Sequence, residues 1–258
     1  MRAALLTSSA SITTLAVALG VAAWWIASAW IALPLFPSPA QIVEAGIALL
    51  RNGVLVKDVA VSLRRIAIGF SIGCAIGIPL GLAMGLFRPV RYFFEPYVQF
   101  FRFVPPIAWL IPAIMWFGIG ETSKILIIVY MTVFLVLLNT MAGVASVRHN
   151  QIRAALCFGA NRAQLFSWVI LPGTMSYIVA GARIAMGNSF AAVVGAELIA
   201  AEAGLGYLIV DSGTWMAMGD MFAAMLTLGL LGIGADRLFV AITSRALAPY
   251  LEASPRGR

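Results

Sequence analysis

Charge is what this chain has least of. Asp, Glu, Lys and Arg make up 10% of its 258 residues, where a soluble domain carries about a quarter, so a soluble globular fold is excluded. One histidine is present, His149, and it lies in a polar stretch outside the apolar runs. An intramembrane protease or acyltransferase needs a Ser/His, Asp/Asp or metal-ligand set within its spans, and the sequence offers none. Cysteine is nearly absent as well. Cys74 and Cys157 fall in different compartments and show no metal spacing, so neither a disulfide nor a metal site is expected. A glycine loop closing on Gly-Lys-Ser/Thr is also lacking, so this chain is not expected to hydrolyse ATP alone.

What is there is apolar. The chain is 62% hydrophobic, with a mean hydropathy of +0.99. Residues 12–33, 66–87, 103–120 and 125–147 hold no Asp, Glu, Lys or Arg, and a membrane span needs roughly 20 apolar residues. Two more candidates lie at 176–200 and 218–240. The expectation is an all-α integral membrane protein: one transmembrane domain over 1–258, with six spans at about 12–33, 64–87, 103–120, 125–147, 176–200 and 218–240. Arg2 before the first run invites comparison with a secretory signal. The run is longer than a signal core of about 7–15 residues, however, and no small-residue cleavage site follows it. Residues 33–39, rich in proline, read as its exit.

The net charge of +7 is explained by orientation rather than by nucleic acid. With the N-terminus in the cytoplasm, the inner segments hold Arg2, Arg88, Arg91, Arg102, Arg148, Arg153, Arg162, Arg237, Arg245, Arg256 and Arg258. The outer segments hold Arg51, Lys57, Arg64, Arg65 and Lys124. The positive-inside bias places both termini and the loop at 148–164 in the cytoplasm. The basic cluster from Arg51 to Arg65 pulls the other way.

Two spans carry internal signatures. Gly69, Gly73, Gly77, Gly81 and Gly85 recur every fourth residue, which puts them on one helical face and lets another backbone approach closely. Pro79 should bend that helix. Pro105, Pro106 and Pro112 interrupt the third span, a break tolerated where protein or a watery cavity satisfies the freed backbone groups.

The most informative segment is polar. Arg153-Ala154-Ala155 is followed by three residues, Gly159, nine residues, Val169, one residue and Leu171-Pro172. Ala155 and Gly159 share a helical face, Gly159-Ala160-Asn161 can turn the chain, and Arg153 and Arg162 place charge at the rim. Leu171-Pro172 is expected to end the return segment before the fifth span. From the residues alone, this is a short amphipathic surface loop.

The segment resembles the EAA loop of binding-protein-dependent ABC permeases, whose form is EAA, three residues, G, nine residues, I, one residue, LP. Arg153 stands in place of the glutamate and Val169 in place of the isoleucine. Leu33-Pro34 with Phe36-Pro37-Ser38-Pro39, Arg102 through Trp109, Trp116 through Lys124, Gly181 through Ala185, Gly195 through Ala200 and Gly204-Leu205-Gly206-Tyr207 are similar to the nitrate/sulfonate/taurine branch, most of all to taurine permeases.

That resemblance implies a type I ABC importer permease fold with a cytoplasmic coupling helix, seated in the cell inner membrane. It implies a second copy of the chain, two ATPase subunits that carry ATP and Mg, and an external substrate-binding protein, with no nucleic acid and no cofactor or metal on this chain. It assigns coupling to Arg153, Ala154, Ala155, Gly159, Ala160 and Arg162, with Arg153 changing the charge offered to the ATPase. Taurine or another sulfonate comes first as substrate. Nitrate, bicarbonate and aromatic or pyrimidine compounds stay open.

Candidate pathway residues are Arg183, Asn188, Ser189 and Trp109. Ionisable residues inside spans are functional candidates by default, yet Arg183 reads more readily as a structural tie. Asn188 and Ser189 suit either a hydrogen-bonding path or interhelical bonds. Trp109 and Trp116, seven apart, suit a gate or plain packing. Glu197 is expected to pair with a base or cap the outer loop, and adjacent Asp236 and Arg237 to find separate partners. An ion-coupled secondary transporter is the rival, but it calls for inverted repeats and buried coupling acids; no clear repeat is found, and one acid stands at a helix end.

Overall fold

The computed structural model describes residues 9–31 and 35–247. Arg2, Arg256, Arg258 and the Leu33-Pro34 part of the first exit lie outside them. The described residues form helices joined by short turns. In chain order these are α1 (Ser9–Ile31), α2 (Pro39–Arg51), α3 (Val54–Leu86), α4 (Arg88–Phe101), a 3-10 turn (Pro106–Trp109) leading into α5 (Leu110–Phe117), and α6 (Glu121–Ser146). Then come α7 (His149–Cys157), α8 (Arg162–Leu165), a π turn (Phe166–Ile170), α9 (Leu171–Ala200), α10 (Leu205–Thr214) and α11 (Met218–Ala246). Among the described residues, five helices are long and apolar enough to cross a membrane, or six with the bent pair around Pro105-Pro106 counted as one span.

Helix α6 is the centre, with α3 and α9 packed along it. The glycine stripe explains the first contact. Gly69, Gly73, Gly77 and Gly81 are buried, and a Cβ on each would run into α6: into Ile128 from Gly69, Thr132 from Gly73, Val136 and the Val133 carbonyl from Gly77, and Thr140 and the Leu137 carbonyl from Gly81. The second contact uses glycine from both sides, Gly143 against Thr174 and Tyr177, and Gly181 against Asn139. Lipid supplies no hydrophobic drive between helices, so close backbone approach and dispersion hold this trio. Ile66, Leu110, Ile127, Ile128, Phe190 and Val193 fill the space where α3, α5, α6 and α9 meet.

Three expectations need correction. The third span breaks at Pro105-Pro106 as expected, but Pro112 does not interrupt it, since Pro112 lies within α5. Pro106 drives Pro105 into an extended conformation (φ −59°, ψ 135°), as proline does to its predecessor, and the segments before and after it meet at 94°. Nor does Leu171-Pro172 end the return segment. The helix runs through it, and residues 162–199 form one continuous 38-residue rod. Pro172 cannot donate, and its ring would crowd an α-helical carbonyl; the π turn just before it, where the Leu171 N–H bonds the Phe166 carbonyl, accommodates it. The second span begins early, at Val54 rather than 64, because Lys57, Asp58, Arg64 and Arg65 belong to the same helix.

Three shorter helices, α2, α4 and α10, were not foreseen. Helix α2 starts in a capping box, in which the Gln41 N–H donates to Ser38 Oγ and the Ser38 N–H to Gln41 Oε1, and Pro39 sits in its first turn. Its buried Ile42 and Leu49 pack with Leu205 and Leu208 of α10 and Ala223 and Ala224 of α11. Helix α1 stands nearly free, contributing Trp24 against Phe36 and Phe222.

Candidate functional site

The loop at 148–172 is an exposed helix–turn–helix. Helix α7 ends in a Schellman turn: the Ala160 N–H bonds the Ala155 carbonyl and the Gly159 N–H the Leu156 carbonyl, both at 3.0 Å. Gly159 takes φ +81°, a left-handed conformation costly for other residues, and a Cβ there would meet nothing within 4 Å. Its glycine is therefore set by backbone conformation within this chain, not by crowding. The chain restarts at once through a second capping box, with the Gln164 N–H donating to Asn161 Oδ1 and the Asn161 N–H to Gln164 Oε1, both at 2.9 Å. From Arg162 the helix continues into α9. Arg153, Ala154, Gly159 and Arg162 are exposed, Ala155 and Ala160 half-buried. All six expected coupling residues thus fall on one helix–turn–helix welded to a membrane span.

At the opposite end of α9 lies a polar knot. Glu197 and Arg65 are withdrawn from solvent, and Arg65 Nη1 donates to Glu197 Oε1 at 2.7 Å. The same nitrogen reaches the Ala203 carbonyl, and the Arg65 Nε donates to Glu121 of α6 at 2.9 Å. Ser62 Oγ donates to Glu197 at 2.8 Å and accepts the Leu205 N–H, while the Gly206 N–H donates to Glu197 and the Gly204 N–H to Asp58. Three side chains of α3 and one of α9 thus hold the turn into α10. Gly204 (φ +125°) and Gly206 are needed there, since a Cβ on either would strike the Glu197 side chain. Glu197 pairs with a base and caps the loop, as the sequence suggested. Sequence reasoning missed the partners. Their signal was available: Asp58, Ser62 and Arg65 stand at i, i+4 and i+7, a polar stripe on one helical face. Arg65 and Lys124 are also two of the basic residues opposing the positive-inside bias, and both lie against Glu121.

The four pathway candidates separate. Arg183 and Asn188 line a groove of about 660 Å³ between α9 and α11, with Ser176, Gly187, Asp236 and Thr243. Across it, Arg183 Nε and Nη2 donate to the two oxygens of Asp236 at 2.6 and 2.8 Å, so Asp236 pairs with Arg183 and not with its neighbour Arg237. Asn188 donates to the Ile184 carbonyl. Ser189 is elsewhere, buried against α6 with its Oγ 3.3 Å from that of Thr132. Trp109 sits in an aromatic cluster with Phe101, Trp116 and Tyr130. Neither lines the groove.

This geometry has known relatives. The binding-protein-dependent transport system inner membrane component family matches residues 77–247. A probable ABC transporter permease protein of Brucella melitensis is 40% identical over 231 residues, covering 90% of this chain and 94% of that protein. The taurine transport system permease protein of Escherichia coli K12 is 40% identical over 248 residues, covering 93% and 89%. The nitrate import permease protein of Synechococcus elongatus is 29% identical over 74% of this chain and 70% of its own. Among solved structures, the methionine ABC transporter in inward-facing conformations shares the fold, with a TM-score of 0.60 at 20% identity over 73% of this chain and 92% of that one. The chain belongs to the inner-membrane permeases of binding-protein-dependent ABC importers, in the branch that holds the taurine, sulfonate and nitrate permeases.

Proposed function

We propose that this chain passes a small sulfonate such as taurine inward by alternating access, as a pair of copies carrying two ATPase subunits and served by an external binding protein. ATP and Mg act on the ATPases. The observation that carries the reading is the weld between the exposed loop and the membrane. Because α8 continues through the π turn into α9 as one helical run over 162–199, a force applied at Ala154, Ala155 and Gly159 is passed to the span as rigid-body motion. The loop end then faces the cytoplasm with both termini, which agrees with the positive-inside bias once Arg65 and Lys124 are set against Glu121. Sulfonate is favoured over nitrate by the 40% and 38% identities to the taurine and aliphatic sulfonate permeases against 29% for the nitrate one.

The test is reconstitution with a partner ATPase and binding protein, measuring ATPase stimulation by taurine, an alkanesulfonate and nitrate. Stimulation by a sulfonate, lost when Gly159 becomes Val, is expected. Stimulation by nitrate alone would replace the substrate, and a complex that forms with no ATPase would remove the reading.

A further inference from the structure

Between Glu121 and Glu197 the chain carries no Asp or Glu. The loop at 148–172 lies inside that interval, so its charge has one sign: Arg148, Arg153 and Arg162, all exposed. None of the three enters an ion pair among the described residues, whereas Arg65, Arg91 and Arg183 each meet a carboxylate. Arg153 is the middle of this surface. His149, Asn150, Leu156 and Cys157 stand three or four residues to either side of it, the spacing of one helical face, and all are exposed. Ile152 and Ala155 are half-buried on the opposite side. Just past the helix, Phe158 is 92% exposed.

Neither lipid nor a second copy fits this surface. Glu121 and its charged partners mark one face of the apolar layer. Gly143, 22 residues along α6, is about 33 Å away at 1.5 Å per residue, which spans a layer about 30 Å thick. Gly143 packs on Thr174, and the rod runs on from Thr174 through 12 residues to Arg162, about 18 Å. Headgroups occupy about 7 Å on each side of the apolar layer, so the turn that carries Phe158, Gly159 and Arg162 stands clear of them. A second copy has nothing to offer in pairing. Its own loop repeats the positive charge, and Glu95 and Asp236 are already taken by Arg91 and Arg183. The other described acids lie at the far end, on or next to α2, α10 and the Glu197 knot.

An exposed cationic face with an exposed phenylalanine at its edge fits a protein of opposite charge. Charge guides the encounter and rejects wrong partners, and an aromatic side chain seated in a pocket anchors it. We propose that the ATPase subunit receives this loop in an acidic seat, with an Asp or Glu carboxylate paired to Arg153 and an apolar pocket for Phe158. This rests on the importer reading above and adds the chemistry of the partner's surface. It also gives selectivity, because an ATPase that is basic at that point is repelled.

The test uses the complex with its partner ATPase in nanodiscs containing phosphatidylserine. Lys57 and Lys124 are the only lysines of this chain and lie at its far end. Arg153→Lys therefore places a single lysine amine in the loop and keeps its charge. A carbodiimide joins an amine to a carboxylate in direct contact, and the product is identified by mass spectrometry. An amide between position 153 and an Asp or Glu of the ATPase is expected, with no product from the unsubstituted loop. A product with phosphatidylserine, a product with a second copy, or none from an assembled complex would each overturn the proposal. Arg153→Glu should weaken ATPase binding at low salt by about tenfold or more and Arg153→Gln by less, with the gap closing as salt is raised. Equal affinity of the unsubstituted chain and Arg153→Glu would also overturn it. Failure of the unsubstituted chain to bind the ATPase would defeat the importer reading itself, whereas assembly with the wrong product defeats only the acidic seat.

Discussion

Arg65 and Glu197 stand 132 residues apart in the chain and meet at 2.7 Å, with side chains 3% and 0% exposed. The pair joins α3 to α9, the two helices that flank α6, and Glu121 of α6 completes it from the other side of the guanidinium. Three packed helices are thus locked at one end by charge, where along their length they are held by close backbone approach. Burying such a pair is favourable only when its remaining hydrogen-bonding groups are met; Ser62, the Gly206 N–H and the Ala203 carbonyl meet them.

Breaking that pair from one side should be severe. Arg65→Ala leaves the buried Glu197 without a cation, a loss of about 3–5 kcal/mol, whereas after Glu197→Ala the guanidinium keeps Glu121 and the loss should be smaller; both variants should unfold at a lower temperature in detergent. The double variant should lose less than the sum of the two. Additive losses in the thermal midpoints would show that the two residues act independently.

The glycine stripe should tolerate nothing larger. Gly73→Val and Gly81→Val push a side chain into Thr132 and into the Leu137 carbonyl, and overpacking of this kind costs about 1–3 kcal/mol or more. Gly229→Ala, where a Cβ meets nothing within 4 Å, should leave the midpoint unchanged or slightly raised. Equal behaviour of the three in a thermal series would argue against the α3–α6 packing.

Gly159 separates two reasons for a glycine in the coupling loop. With φ +81° and open space around it, asparagine, which enters the left-handed region more readily than other residues, should keep most of the stimulated ATPase activity. Valine should lose it. If Gly159→Asn fails as completely as Gly159→Val, room in the ATPase cleft sets the requirement instead of backbone conformation.

The two cysteines offer a docking readout. Cys157, at the end of α7, is exposed, and Cys74, in the middle of α3, is half-buried. A hydrophilic maleimide should modify Cys157 quickly in the isolated permease and Cys74 only on denaturation. Bound ATPase should slow the Cys157 reaction. Labelling of Cys157 at the same rate with and without the ATPase would place the docking surface elsewhere.

Much of this protein was legible in the chain itself. A span is declared by local composition, so the six apolar segments stood out, and the glycine stripe announced a close helix contact because period four is itself helical geometry. The turn at Gly159 was readable for the same reason, since a left-handed glycine after a short helix is a local signal. Interactions between distant residues were not legible. Nothing local says that Asp236 answers Arg183 across a groove, that Ser189 turns to Thr132, or that Asp58, Ser62 and Arg65 reach over to hold Gly204–Gly206 beside Glu197. Leu171-Pro172 was misread because proline's ordinary effect is to stop a helix, and only the π turn ahead of it shows that here the helix continues. Local composition and period settled what crosses the membrane and where the loop turns. Tertiary packing decided which polar groups meet, because inside an apolar layer each must find its partner on another helix.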